Sequence, residues 1–106
     1  MREVVLDTET TGLSPDDGDR IVEIGCVELL NHLPTGEEFH TYINPGMTMP
    51  ESAFKIHGLS DEFLRDKPGI SDVLDAFLDF LGSSTLVIHN AEFDLKFLRR
   101  DYLYFH

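Results

Sequence analysis

An α/β fold with a mixed sheet is predicted by three features of the chain. Two apolar, β-branched runs, Val4-Val5-Leu6 and Thr85-Leu86-Val87-Ile88, read as strands buried on both faces. Arg20 to Leu30 and Glu37 to Asn44 read as two further strands, joined by short links into an antiparallel meander of three. From Pro50 the apolar period becomes helical, and this long crossover lets the last strand lie parallel to the first.

The elements follow in order. The first strand runs into Asp7-Thr8-Glu9-Thr10-Thr11-Gly12. Leu13-Ser14-Pro15-Asp16-Asp17-Gly18-Asp19 has the composition of a surface loop. Its three aspartates lack the spacing and closing Glu of a calcium loop, so they read as a solvated turn. Gly25 permits a bulge in the second strand, and Glu23 and Glu28 read as solvent-facing. Asn31 to Gly36 reads as a turn around Pro34. In the third strand Phe39, Thr41 and Ile43 alternate with Glu38, His40 and Tyr42. Glu51 to Lys55 reads as a helical turn stopped by Gly58, and Ser60 as the N-cap of another. Ser71 is the expected cap of a longer helix with Leu74, Phe77, Leu78 and Leu81 on one face. Asp72, Asp75 and Asp79 fall on its solvated face. Asn90 is the expected cap of a last helix, Ala91 to about Tyr102, with Phe93, Phe97 and Leu98 on its apolar side.

A length of 106 residues is enough for one small domain with one core. The apolar content of 42% argues against disorder. No apolar stretch is long enough to span a membrane, and the first strand follows Met1 too closely for a signal peptide. The single cysteine, Cys26, lies in an apolar run and reads as a core residue, in keeping with a reducing, cytoplasmic setting. The net charge of −12 counts against a broad basic face gripping duplex nucleic acid. It leaves open a pocket in which bound cations supply the positive charge locally.

The chemistry concentrates at the strand ends. On a strand Asp7 and Glu9 point to one side, with Thr8 opposite. Two like charges there are costly unless neutralised, and Mg²⁺ or Mn²⁺ suits an all-oxygen set. The alternative is two acids at a strand end in water. Asp94 lies one turn into the last helix, which starts beside the parallel strand's carboxyl end, where ligands of open α/β sheets gather. Asp94 can therefore be aimed at the same point as Asp7. Three converging carboxylates would hold two divalent ions about 4 Å apart, as in two-metal phosphoryl transfer.

Three stretches together resemble a known family: Asp7-Thr8-Glu9-Thr10-Thr11-Gly12, Ile56-His57-Gly58-Leu59, and Val87-Ile88-His89-Asn90-Ala91-Glu92-Phe93-Asp94. They are similar, in order and spacing, to the DEDD 3′–5′ exonucleases, most closely the epsilon-type proofreading exonucleases of bacterial DNA polymerase III. The resemblance spans Val4 to about Leu98. It implies an RNase H-like fold and Mg²⁺ or Mn²⁺ held by Asp7, Glu9 and Asp94. It also implies that Thr10, Thr11, Gly12 and Leu13 line the site of the terminal nucleotide. Gly12 would let backbone approach the substrate, and Leu13 would press on a base or sugar. His57, Asn90 and Phe93 match positions that hold terminal nucleotides. Each of the three has a second reading: Phe93 as core, Asn90 as a helix cap, His57 as the end of a turn. His89 reads as structural, and Glu92 as a first-turn acid favoured by the helix dipole.

The family's third motif supplies a histidine base and a fourth metal-binding aspartate. This chain stops at His106, before that motif, and therefore reads as the amino-terminal part of an exonuclease domain, truncated at its C-terminus. His57 and Glu62 have a similar separation but belong to an earlier loop. His106 lacks a following aspartate and reads as frayed. The closing run through Tyr102, Leu103, Tyr104 and Phe105 would leave aromatics exposed. The expectation is weakened metal binding and low or absent hydrolysis, the missing base alone costing roughly 10²–10⁴ in rate. Uncovered faces predict self-association. The implied partners are a single-stranded 3′ end of DNA and a polymerase catalytic subunit that presents it. An RNA-directed exonuclease of the same family and a non-catalytic binding fragment are the alternative readings.

Overall fold

The computed structural model describes residues 1–105, with side chains through Asp101. The expectations for His106 and for the aromatics after Asp101 lie outside the described residues. Four strands form one sheet in the order β3-β2-β1-β4: β1 (Arg2–Thr10), β2 (Ile21–Leu30), β3 (Leu33–Tyr42) and β4 (Thr85–Ile88). The β1–β2 and β2–β3 pairs are antiparallel and β1–β4 is parallel, as the three sequence features predict. The helices are α1 (Glu51–His57), α2 (Asp61–Leu64), α3 (Ile70–Leu81) and α4 (Ala91–Phe105).

Alternation along β1 sends Val4, Leu6, Thr8 and Thr10 into the protein. Val4 and Leu6 join Ile24 and Cys26 of β2 in a core closed by Val73, Leu74 and Phe77 of α3 and Phe97 and Leu98 of α4. Burial raises the Cys26 thiol to about 11, in keeping with a packing role. The expectation that β1 and β4 are buried on both faces needs correction. Val5 and Val87 pair across the two strands and remain 37% and 41% exposed, because α3 and α4 pack against the opposite face.

A register shift lies between Glu9 and Thr10, where Val22 is the extra residue on β2. Val22 packs with Met49, Ala53 and Leu64 in a second small core that brings α1 and α2 to the carboxyl end of β1. The bulge therefore helps to build the wall of the site.

Three other expectations change. The β2–β3 turn is only Asn31-His32, both with positive φ (52° and 69°), as a tight hairpin requires. Pro34 is thus inside β3, which tolerates it as an edge strand. Gly69, not Ser71, is the N-cap of α3, and the Asp72 carboxylate accepts from the Gly69 N–H at 3.2 Å. Asn90 has φ 56°, and its backbone carbonyl, not its side chain, receives the Phe93 N–H. Ser60 does cap α2, accepting from Phe63 N–H at 3.1 Å, and Gly58 ends α1 with φ 73°.

The start of β1 is fastened to the end of α3. Arg2 donates from Nη1 to Leu81 O (2.8 Å) and from Nη2 to Phe80 O (2.6 Å). A cation satisfying terminal helix carbonyls is favourable there. Arg2 also pairs with Glu28, which is thereby held below the usual carboxylate range and is no free surface acid.

Candidate active site

The sheet places the acids as the alternation predicts. Asp7 is exposed, Glu9 half-buried, and Thr8 between them is buried on the opposite side. The β1–β4 pairing ends at Leu6–Ile88, so β1 continues past β4 with one edge unpaired. The first turn of α4 fills that gap. Asp94, 3% exposed, accepts a hydrogen bond from the Thr8 hydroxyl. It therefore reaches β1 from the helix side.

Electrostatics tie the three acids together. Burial raises the Glu9 carboxyl, and the charges of Asp7, Glu23 and Asp94 raise it further, against a lowering by His57. Burial also raises Asp94, with Asp7 adding to the rise and the bonds from Thr8 opposing it. Glu23 is a contributor that the sequence reading left in solvent. It faces Glu9 across the β1–β2 ladder, and its carboxylate bonds His40 Nε2 at 2.6 Å. Its only signal in the sequence would have been the register, which the bulge obscures.

An all-oxygen set under mutual repulsion has the chemistry of a hard-cation site. Among the described residues, however, no three acids, histidines or cysteines are gathered closely enough to form a finished ligand set. Asp94 is bonded to Thr8, while Asp7 and Glu9 project from the other side of β1. A divalent ion there would offset the burial, and the smaller mutual repulsion, that raise Glu9 and Asp94.

Beside the acids lies a cavity of about 340 Å³ lined by Glu9, Thr10, Gly12, Leu13, His57 and Phe93, with Thr8, Ser52, Ala53 and Ile56. The first six are expected site residues, and all three stretches of the sequence contribute, with Leu13 following the first. Ile56, 79% exposed, is a wall residue that opens the second stretch and is given no site role from the sequence. Phe93 belongs to both of its readings, lining the cavity and packing at a tilt against Phe97 with centroids 5.1 Å apart. Asp7, Asp94 and Asn90 are not in the cavity wall, and Asn90 is exposed.

Two residues have structural duties. Thr11 is 1% exposed, and its hydroxyl is engaged inside the loop, so it does not line the cavity. His57 Nδ1 accepts from Leu59 N–H (3.0 Å), which leaves the hydrogen on Nε2 to donate to Thr10 O (3.1 Å). The imidazole thus ties the end of α1 to the end of β1 while presenting its face to the cavity. Gly12 is expected to let backbone approach the substrate. In this structure its close neighbour is the Asp19 carboxylate, which lies where a Cβ would stand.

Comparison with known proteins gives consistent results. The family described as Exonuclease matches residues 4–105. DNA polymerase III subunit epsilon of Rickettsia prowazekii (strain Madrid E) is 56% identical over 101 residues, covering 95% of this chain and 44% of the relative. Its namesake from Salmonella typhimurium is 48% identical, covering 92% and 42%. The chain therefore spans less than half the length of these relatives. Among solved structures, exonuclease X in complex with 5′ overhanging duplex DNA superposes with TM-score 0.76 at 31% identity, covering 91% of this chain and 53% of that one. Exonuclease I in its apo form gives TM-score 0.88 at 18% identity, covering 98% and 25%, a likeness of fold.

Proposed function

This chain belongs to the exonuclease family, and on that premise we propose that it carries the metal-dependent site of a 3′–5′ exonuclease of the DNA polymerase III epsilon type. The observation that supports this reading is the meeting of three separate stretches of sequence around one cavity, with Glu9 in its wall and in the field of Asp7 and Asp94. Asp7, Glu9 and Asp94 would hold Mg²⁺ or Mn²⁺. Such ions, when bound, supply positive charge at the scissile phosphate and acidify water there. The remaining work falls to the protein. Leu13, Ile56 and the faces of His57 and Phe93 offer an apolar slot of a size for a terminal nucleotide. Thr10 and the Gly12 backbone form its polar rim, and the buried Thr8 hydroxyl fixes the Asp94 carboxylate.

The substrate class in this reading is the single-stranded 3′ end of DNA. The acidic chain would rely on a polymerase catalytic subunit to present that end, since a net charge of −12 opposes the approach of a polyanion. Among the described residues no helix is long and apolar enough to cross a membrane.

The test is Mn²⁺-dependent binding of deoxythymidine 5′-monophosphate by calorimetry. The expected result is uptake by the wild type in Mn²⁺, absence of uptake in EDTA, and weakening by at least about tenfold in Asp7→Asn. Equal binding with and without metal would remove the reading.

Self-association of this chain follows from a different part of the surface. An apolar groove of about 400 Å³ runs between α3, α4 and β4, lined by Leu74, Leu78, Leu81, Leu86 and Leu95 among others. It adjoins the unpaired outer edge of β4. Light scattering is expected to show a mass above 12.0 kDa that rises with concentration. A constant monomer mass up to millimolar protein would contradict it.

A further inference from the structure

Leu13 is 76% exposed, so burial does not hold it at the mouth of the cavity. Its position must be set by the backbone on either side. On one side the Gly12 carbonyl accepts from the Thr10 hydroxyl at 2.6 Å. On the other, the Ser14 N–H donates to Asp19 Oδ2 (3.2 Å), and the Ser14 carbonyl accepts from Asp19 N–H (3.1 Å). Asp19 Oδ1 accepts from the Thr11 hydroxyl at 3.0 Å, and Thr11 and Arg20 exchange further bonds at 2.8 and 3.0 Å.

One carboxylate therefore holds both ends of the Thr11–Ser14 turn. It fits only because Gly12 has no side chain: a Cβ there would meet the Asp19 carboxyl atoms at 2.4–2.5 Å. Asp16 and Asp17, in the same loop, are exposed, whereas Asp19 is half-buried and bonded through both carboxylate oxygens.

We infer that Asp19 is a positioning residue of the cavity, clamping the Thr11–Ser14 turn so that Leu13 stands over the bound nucleotide. The nucleotide part of this statement rests on the function proposed above; the clamp itself does not. With both carboxylate oxygens occupied, Asp19 acts through Leu13 and touches no substrate.

The test combines deoxythymidine 5′-monophosphate binding in Mn²⁺ with thermal midpoints for Asp19→Ala, Asp19→Asn, Gly12→Ala and the double variant Gly12→Ala/Asp19→Ala. Asp19→Ala is expected to weaken nucleotide binding about tenfold, the loss of a charge-assisted bond at each end of the turn. Asp19→Asn should recover only part of it, because its Oδ1 still accepts from Ser14 N–H while its Nδ2 cannot accept from the Thr11 hydroxyl. Gly12→Ala should be damaging alone yet add nothing in the Asp19→Ala background, where the clash is gone. Wild-type affinity in Asp19→Ala, or additive effects of the two substitutions, would overturn the inference. A wild type that takes up no nucleotide would defeat the functional reading instead. The thermal midpoints would then decide the clamp alone, suppression supporting it and additivity overturning it.

Discussion

Replacing Asp94 with Asn is expected to raise the thermal midpoint of the metal-free protein and to abolish the rise that Mn²⁺ produces. Asp94 is 3% exposed, and burial together with Asp7 raises its carboxyl. A carboxylate whose folded pKa lies above its unfolded value binds protons more readily in the folded state. Its contribution to stability is full below the unfolded pKa and is lost as pH rises through the folded one. At neutral pH the charged form is therefore a burden on the metal-free fold. Asn removes the charge and keeps an oxygen to accept from the Thr8 hydroxyl. A divalent ion relieves the same burden in the wild type, by about 2.7 kcal/mol at a hundredfold excess over its dissociation constant. For a domain of this size that is a rise of about 10–20 °C.

The same sign fixes the pH dependence. Glu9 and Asp101 are also raised by burial, whereas Glu28 is lowered by Arg2 and Thr35. The raised groups gain protons on folding, and Glu28, paired with Arg2, opposes them. The metal-free midpoint should therefore climb as pH falls through the raised pKa values of these carboxyls towards the ordinary carboxylate range, and more steeply in the wild type than in Asp94→Asn. With Mn²⁺ the trend should flatten or reverse, because protons and metal compete for the same oxygens. Scanning calorimetry across that range with and without EDTA reads both effects. A midpoint that falls on acidification in both proteins would contradict the assignment of Asp94 as a burdened carboxylate.

Phe77→Ala should be the most damaging single change to the fold. Phe77 is 2% exposed, packs with Phe39 at a centroid distance of 5.9 Å, and joins α3 to the sheet. Truncating such a ring costs about 3–5 kcal/mol, a large share of the roughly 5–15 kcal/mol that holds a domain together. A fall in midpoint of about 15 °C or more is expected. Ile56→Ala, at a residue 79% exposed, should change stability by no more than about 0.5 kcal/mol. Urea titrations of the two variants give the comparison directly. Similar midpoints for both would show that α3 is not the lid of the core.

Sequence alone was enough wherever a short-range period carried the information. Strand alternation put Asp7 and Glu9 on one side of β1 and Thr8 on the other, and the helical period put Leu74 and Phe77 inward on α3. The same logic misjudged Val5 and Val87, since the covering of a strand's second face depends on distant elements. It misjudged the start of β3 as well: Pro34 is forbidden in a central strand and harmless at an edge, and edges are defined only by the finished sheet.

The sequence by itself determined the fold class, the family, and which residue types gather at the end of β1. Only the tertiary structure decided that Asp94 comes in from the helix side onto Thr8, that Glu23 shares the field of Glu9, and that Asp19 occupies the space left by Gly12. Local patterns encode which way a side chain points. The strength of a charge, and the use made of a missing Cβ, depend on atoms that arrive from elsewhere in the chain.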